Sequence, residues 1–157
     1  MYFCGQEQCR IDANSRLKLP PIFMRQFKEH GEQNVVLHCL PEGALGIYPA
    51  SVWSQMRQHQ PRPAAQAAKS IVFRRELRRF GALTQQQTIT TQGRITVPAA
   101  FRERLALERG SEAILIGAEI GLEAWERSRW TAELASIDDH EQKRSESQMA
   151  SDLTAEQ

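Results

Sequence analysis

Two stretches, I-D-A-N-S-R-L-K-L-P at residues 11–20 and I-T-T-Q-G-R-I-T-V-P at residues 89–98, decide the fold of this 157-residue chain. They match at an offset of 78 residues, and the same offset places Phe23 on Phe101. Small shifts bring further apolar and aromatic positions of the two halves into correspondence. Self-similarity over this distance indicates one structural unit used twice.

Each copy predicts a β-hairpin, then a helix, then two more strands. The alternation of polar and apolar residues in both stretches has the period of two that is typical of half-buried strands. Gly93 and Asn14 tolerate a positive φ, so we expect them to form the turns. The prolines that follow end the strands and suit the first turn of a helix. The pattern is β-β-α-β-β, twice, which is an α+β fold.

Three tryptophans, Trp53, Trp125 and Trp130, occupy apolar positions of segments with amphipathic spacing. Such positions favour packing in the core over stacking on nucleic-acid bases.

The repeats predict four regions. These are a first unit over 1–60, a linking basic helix over 61–83, a second unit over 84–137 and an acidic tail over 138–157. The tail has two basic and six acidic residues, so its net charge is −4 against +5 for the rest. Its few apolar residues predict disorder. The basic face of the linking helix is open to two interpretations, a solvated surface or a phosphate contact.

Several function classes lack support in the sequence. The longest apolar stretch is far shorter than the ~20 residues of a membrane-spanning helix. The first residues lack the features of a secretory signal, so we expect a cytoplasmic protein. Metal binding by Cys4, Cys9, His38 and Cys39 is disfavoured because no pair has C-x₂-C spacing, and because His38 and Cys39, as neighbours on a strand, would face opposite ways. No catalytic, nucleotide-binding or metal motif is found, and the histidines are scattered, so we expect no enzyme, cofactor or small-molecule substrate.

The sequence resembles the MraZ family of bacterial transcriptional regulators. The resemblance is carried by the start M-Y-F-C-G, by the segment from Asp12 to Arg16 with its following L-x-L-P, by Q-G-R-I-T-V-P at residues 92–98, and by L-E-A-W at residues 122–125 with Trp130. It covers about residues 1–137. One departure is Thr90, which stands where the family motif has a second aspartate.

The resemblance implies two AbrB-type swapped-hairpin units, small β-barrels with flanking helices related by a pseudo-two-fold axis, in a ring of identical subunits. It also implies that Arg16 and Arg94 contact double-stranded DNA, with Asn14 and Lys18 adding contacts. Arginine can bond bidentately to guanine, and a two-stranded ribbon fits the major groove. We expect Asp12 to orient Arg16, and Thr90 and Gly93 to support Arg94.

The resemblance predicts a nucleoid-associated, homo-oligomeric repressor of the division and cell-wall genes, which reads short repeated promoter boxes that contain guanine. Alternatives remain open at each step. Asp12 can cap its turn without orienting an arginine, and either arginine can form an intramolecular salt bridge. The whole chain can instead be an AbrB-like protein-interaction module, either an antitoxin or a ring scaffold, without specific DNA binding.

Overall fold

The computed structural model describes residues 3–58 and 63–155. It contains eight strands and six helices within those ranges. The strands are β1 Gln6–Arg10, β2 Arg16–Lys18, β3 Asn34–Cys39, β4 Leu45–Pro49, β5 Thr84–Thr88, β6 Arg94–Thr96, β7 Glu112–Gly117 and β8 Leu122–Glu126. The helices are α1 Pro21–His30, α2 Ala50–Arg57, α3 Pro63–Lys69, α4 Ile71–Ala82, α5 Ala99–Leu105 and α6 Arg127–Ala155.

Strands of both repeats combine in one antiparallel six-stranded sheet of order β1-β7-β8-β4-β3-β5. A second sheet has two strands, β2 and β6. Exchanging each element for its counterpart in the other repeat reproduces both sheet orders, so the topology has the expected pseudo-two-fold symmetry. At the centre of the large sheet, β4 pairs with β8 and brings Leu45 opposite Ala124.

The predicted hairpins are wrong in their pairing, although the turns form where expected. In the first repeat β2 pairs with β6, whereas β1 pairs with β7. In the second repeat β5 pairs with β3. The strands on either side of each turn therefore separate, because each has its partner in the other repeat. The described residues also form no closed barrel, since β2 and β6 pair with one another and leave β1 and β5 as edges of an open sheet.

One hydrophobic core joins the repeats. It contains Phe23 and its counterpart Phe101, both almost fully buried, together with inward-facing residues of the large sheet and of the β2–β6 pair. The described residues up to Glu126 accordingly belong to one compact unit, and α6 belongs to a second. The two predicted units, 1–60 and 84–137, thus share a sheet and a core.

Three further predictions concern the helices and tryptophans. The linking helix is two helices, α3 and α4, on either side of Ser70, and residues 61 and 62 of the prediction lie outside the described ranges. Trp125 is buried as expected, and Trp53 is stacked on Phe80 with ring centroids 5.3 Å apart.

The acidic tail differs from its prediction, because residues 138–155 are helical rather than disordered. Its side chains are exposed, but neighbouring turns are joined by local pairs, including an ion pair of 3.1 Å between Lys143 and Asp139. Such pairs at a spacing of four residues stabilise a helix without a buried face. Residues 156 and 157 lie outside the described ranges.

Candidate nucleic-acid interface

The pairing of β2 with β6 places both candidate arginines on one surface. Leu17 lies opposite Ile95, and both side chains are buried. Because side chains alternate along a strand, the residues on either side of this pair point the opposite way. We call this outward surface the ribbon face; its residues are Arg16, Lys18, Arg94 and Thr96.

The register of the ribbon sets the spacing of these charges. Arg16 lies opposite Thr96, and Lys18 lies opposite Arg94, so the two arginines are diagonal neighbours across the ribbon. Diagonal neighbours of this kind are about 7–8 Å apart. The ribbon face therefore presents three cationic side chains close together, which the predicted independent hairpins would not have done.

The turn before Arg16 is held closed by Asp12. The Asp12 amide donates to the Arg16 carbonyl at 3.0 Å. In return, Asp12 Oδ1 accepts hydrogen bonds from the backbone amides of Asn14 at 2.8 Å and Arg16 at 2.9 Å. The positive φ in this turn belongs to Ser15, at 60°, so the assignment of this conformation to Asn14 is wrong.

The same carboxylate also contacts the arginine side chain. Arg16 Nε donates to Asp12 Oδ2 at 3.2 Å, and the two side chains are 35% and 39% exposed respectively. The pKa of the Asp12 carboxyl is lowered below its ordinary value of 3.8, mainly because the carboxylate accepts a hydrogen bond from the Arg16 amide. The hydrogen bond from the Asn14 amide and the contacts with the Arg16 side chain lower it further. Asp12 is therefore ionised at neutral pH, and its carboxylate both closes the turn and forms an ion pair with Arg16.

The turn before Arg94 has the same backbone pattern with a neutral side chain. The Thr90 amide donates to the Arg94 carbonyl at 3.1 Å, and Thr90 Oγ1 accepts from the Arg94 amide at 2.9 Å. A hydroxyl has no second oxygen to contact the guanidinium. Instead, Arg94 Nη1 donates to Oε1 of Gln92. Gln92 was missed in the sequence analysis, although a long amide side chain two residues before the arginine was a usable signal.

The two turns are supported differently. Arg109 Nε donates to the hydroxyl of the fully buried Ser15 at 3.0 Å, which fixes the first turn. Gly93, the counterpart of Ser15, has a φ of 78°, and a Cβ there would lie 2.9 Å from Met24 Sδ. Glycine therefore suits the second turn, because it adopts the positive φ without steric cost and avoids a close contact with the Met24 side chain.

Cross-repeat hydrogen bonds join these turns to the opposite strand ends. The Val97 amide donates to the Ser15 carbonyl at 2.8 Å, and the Leu19 amide donates to the Gly93 carbonyl at 2.8 Å. Each turn is thus hydrogen-bonded to the other repeat, and these bonds hold the two turns that precede Arg16 and Arg94 against the ribbon. Asn14 is exposed in the first turn, and Lys18 is exposed on the ribbon face.

Other features of the described residues bear on metal binding, thiol reactivity and membrane insertion. Among residues 3–58 and 63–155, no group of three or more His, Cys, Asp or Glu side chains is placed to hold a metal ion. Burial raises the pKa of the Cys9 thiol to about 12, which keeps it protonated at neutral pH. None of the helices in the described part of the chain has the length and apolar character needed to cross a membrane.

Comparison with known proteins gives the family. A family model described as "MraZ protein, putative antitoxin-like" matches residues 81–152. A relative from Heliobacterium modesticaldum is 33% identical over 82% of this chain and 84% of its own length. The chain belongs to the MraZ family. The resemblance stated from the sequence is thereby confirmed.

Other MraZ relatives match a similar share of this chain. The protein from Syntrophobacter fumaroxidans is 29% identical over 90% of this chain and 91% of its own length. The protein from Treponema pallidum is 31% identical over 85% of each. All three relatives are named "Transcriptional regulator MraZ", and the comparisons indicate no enzyme family.

Proposed function

We propose that this MraZ protein is a transcriptional regulator that binds double-stranded DNA through the ribbon face. The observation that carries the proposal is the placement of Arg16 and Arg94 on one face of a two-stranded ribbon. A two-stranded ribbon fits the major groove, where arginine can donate bidentately to O6 and N7 of guanine. The names of the relatives support a role in transcription.

Each residue of the interface has a distinct role in this proposal. Asp12 contacts Arg16 through Nε, so the terminal nitrogens of Arg16 face a base edge in a fixed plane. Arg94 is held by Gln92 and reads a second position. Lys18 contributes a point charge for a phosphate, and Asn14 at the turn contributes an amide for a phosphate or a base.

The proposed assembly is a homo-oligomeric ring of AbrB-type swapped-hairpin units. Exposed strands at both edges of the large sheet, β1 and β5, favour association because an unpaired edge can join another chain. A ring would present several ribbon faces to repeated promoter boxes, and linked binding raises affinity by about 10²–10⁴-fold. In this proposal the ring acts at the nucleoid in the cytoplasm and represses division and cell-wall genes.

A second candidate is an interaction module that binds protein instead of DNA. The antitoxin-like description of the matching family model favours it. In that case the ribbon face would bind a partner protein, and purified chain would not distinguish one DNA sequence from another.

Titration of two labelled duplexes separates these functions. One duplex carries the region upstream of the protein's own gene, and the other carries the same bases scrambled. We expect the parent to prefer the first duplex and Arg16→Ala to lose that preference. Arg144→Ala is the matched control, because it removes an exposed arginine from α6 that pairs with Glu141 at 3.7 Å, outside the ribbon and both sheet edges. Equal binding of both duplexes by the parent would support the interaction module.

A further inference from the structure

The net positive charge of the compact unit equals that of one short segment outside the ribbon. Residues 1–126 have sixteen basic and twelve acidic residues, a net charge of +4. Residues 69–82, which include all of α4, have five basic residues and one acidic residue, also a net of +4. This segment therefore accounts for the whole net charge of the unit. A basic stripe along one helix is the electrostatic feature expected of a nucleic-acid-binding surface.

Two arginines of α4 are engaged within the protein. Arg74 Nη1 donates to the Ala67 carbonyl at 2.7 Å, which ties α4 to the preceding α3. Arg79 Nη2 donates to the Cys39 carbonyl at 3.4 Å at the end of β3. Both side chains are half-buried. Their contacts orient the helix and occupy part of the hydrogen-bond donor capacity of both guanidinium groups.

The other two arginines, Arg75 and Arg78, are exposed. Within residues 3–58 and 63–155, neither side chain has a hydrogen bond or an ion pair. Residues three apart in a helix are neighbours on one face, with about 5–6 Å between their Cβ atoms. We call this pair the α4 face.

The helix that carries the α4 face is fixed at both ends. The Ser70 hydroxyl accepts a hydrogen bond from the Phe73 amide at 3.2 Å and caps the first turn. Near the other end, Phe80 is stacked on Trp53, and the Arg57 guanidinium lies 3.7 Å from the centre of the Phe80 ring. These contacts hold both ends of α4 in place, so the α4 face is ordered before any ligand binds.

We propose that Arg75 and Arg78 bind the phosphate backbone of the DNA that the ribbon face reads. The inference rests on the proposed function and adds a sequence-independent contact to it. The guanidinium fork matches the geometry of phosphate oxygens. Neither arginine forms an ion pair with an acidic side chain in the part of the chain that the structure describes. Phosphate contacts position a protein on the duplex without reading bases. In this proposal the α4 face makes such contacts, and the ribbon face reads the bases.

The test is a salt titration of DNA binding by the full chain. The variant Arg75→Gln/Arg78→Gln is compared with Lys143→Gln/Arg144→Gln, which removes the same charge from exposed α6 residues that pair with Asp139 and Glu141. Both duplexes described above are used at several NaCl concentrations. Each phosphate contact contributes about 0.9 to the slope of log K against log salt.

We expect the α4 variant to have a slope shallower by about 1.8 per engaged subunit on both duplexes, with an unchanged ratio between their affinities. The control should keep the parental slope. A parental slope in the α4 variant would overturn this inference and leave the proposed function intact. A smaller oligomer by light scattering, with weaker binding as its consequence, would assign the α4 face to protein contacts and also overturn it. Failure of the parent to bind either duplex would overturn the proposed function itself.

Discussion

The Asp12 carboxylate binds Arg16 twice, accepting from the backbone amide at 2.9 Å and from the side-chain Nε at 3.2 Å. One carboxylate therefore closes the turn and sets the plane of the guanidinium that follows it. At the equivalent place, Thr90 makes only the backbone contact. The two halves of the ribbon face are thus alike in backbone and unequal in how firmly they hold their arginines, and this inequality can be measured.

Arg16→Ala should weaken specific DNA binding more than Arg94→Ala. The loss of one bidentate contact with guanine costs about 1–3 kcal/mol, multiplied over the subunits engaged. Arg16 has the charged partner, so its contact should be nearer the upper end. DNA titration at fixed salt measures both losses, and thermal unfolding checks that each variant stays within about 0.5 kcal/mol of the parent. Equal losses would show that the orientation by Asp12 has no effect on binding.

Adding a carboxylate at Thr90 and removing the one at Asp12 should change the affinity for specific DNA in opposite directions. Thr90→Asp would give Arg94 a charge-assisted contact in place of the neutral one with Gln92, and we expect tighter specific binding by about 1 kcal/mol. Asp12→Ala should weaken binding by less than Arg16→Ala does, since the arginine is loosened but not removed. Both variants are measured on the two duplexes. Weaker binding by Thr90→Asp would indicate that added negative charge near the phosphates outweighs orientation.

The Asp12 contact also predicts a pH dependence of stability. The folded protein holds the pKa of Asp12 below its ordinary value of 3.8. Ionised Asp12 therefore stabilises the fold fully above that value, and the contribution is lost as pH falls through the lower folded pKa. Urea unfolding of the parent and of Asp12→Asn should give a difference in free energy that is constant near neutral pH. The difference should shrink below pH 3.8; a difference that persisted there would contradict the assignment.

The sequence was sufficient to predict the repeat and most of its elements, but not the strand pairing. A period of two shows that Leu17 and Ile95 face a core, yet it does not show which strand lies beside them. They lie beside one another because the repeats interlock, a long-range relationship that each repeat alone does not encode. The same limit explains Asn14: local preference favoured it for the positive φ, whereas Ser15 adopts that conformation with its hydroxyl bound by Arg109.

Other differences had signals within the sequence. The offset of 78 aligns Ser15 with Gly93, so the position of the positive φ in the first turn was available from the second. Gln92 was likewise visible as a polar neighbour of Arg94. The helix over residues 138–155 was missed because composition reports whether a segment can bury apolar surface. It does not report whether polar side chains four residues apart will support a helix locally.

Gly93→Ala should destabilise the fold more than Gly31→Ala. Both glycines have a positive φ, at 78° and 84°, which costs an L-residue about 1–2 kcal/mol. A Cβ at Gly31 would meet open space, whereas one at Gly93 would meet Met24 Sδ. The additional loss at Gly93 should therefore be reduced in the double variant Gly93→Ala/Met24→Ala, relative to Met24→Ala alone. Urea unfolding measures all four variants, and an equal loss at both glycines would show that Met24 moves aside without cost.

Removal of residues 138–157 should leave the compact unit folded and the proposed oligomer intact. Every side chain from 138 to 155 is exposed, so deletion uncovers no buried surface of that segment. We expect the free energy of unfolding of the compact unit to change by no more than about 0.5 kcal/mol, as for other exposed changes. Calorimetry checks the unfolding, and light scattering checks that the number of subunits is the same with and without the tail. Insolubility or dissociation of the truncated chain would show that this part of α6 covers a surface in the assembly, and residues 138–157 would then have to be counted among the contacts that build it.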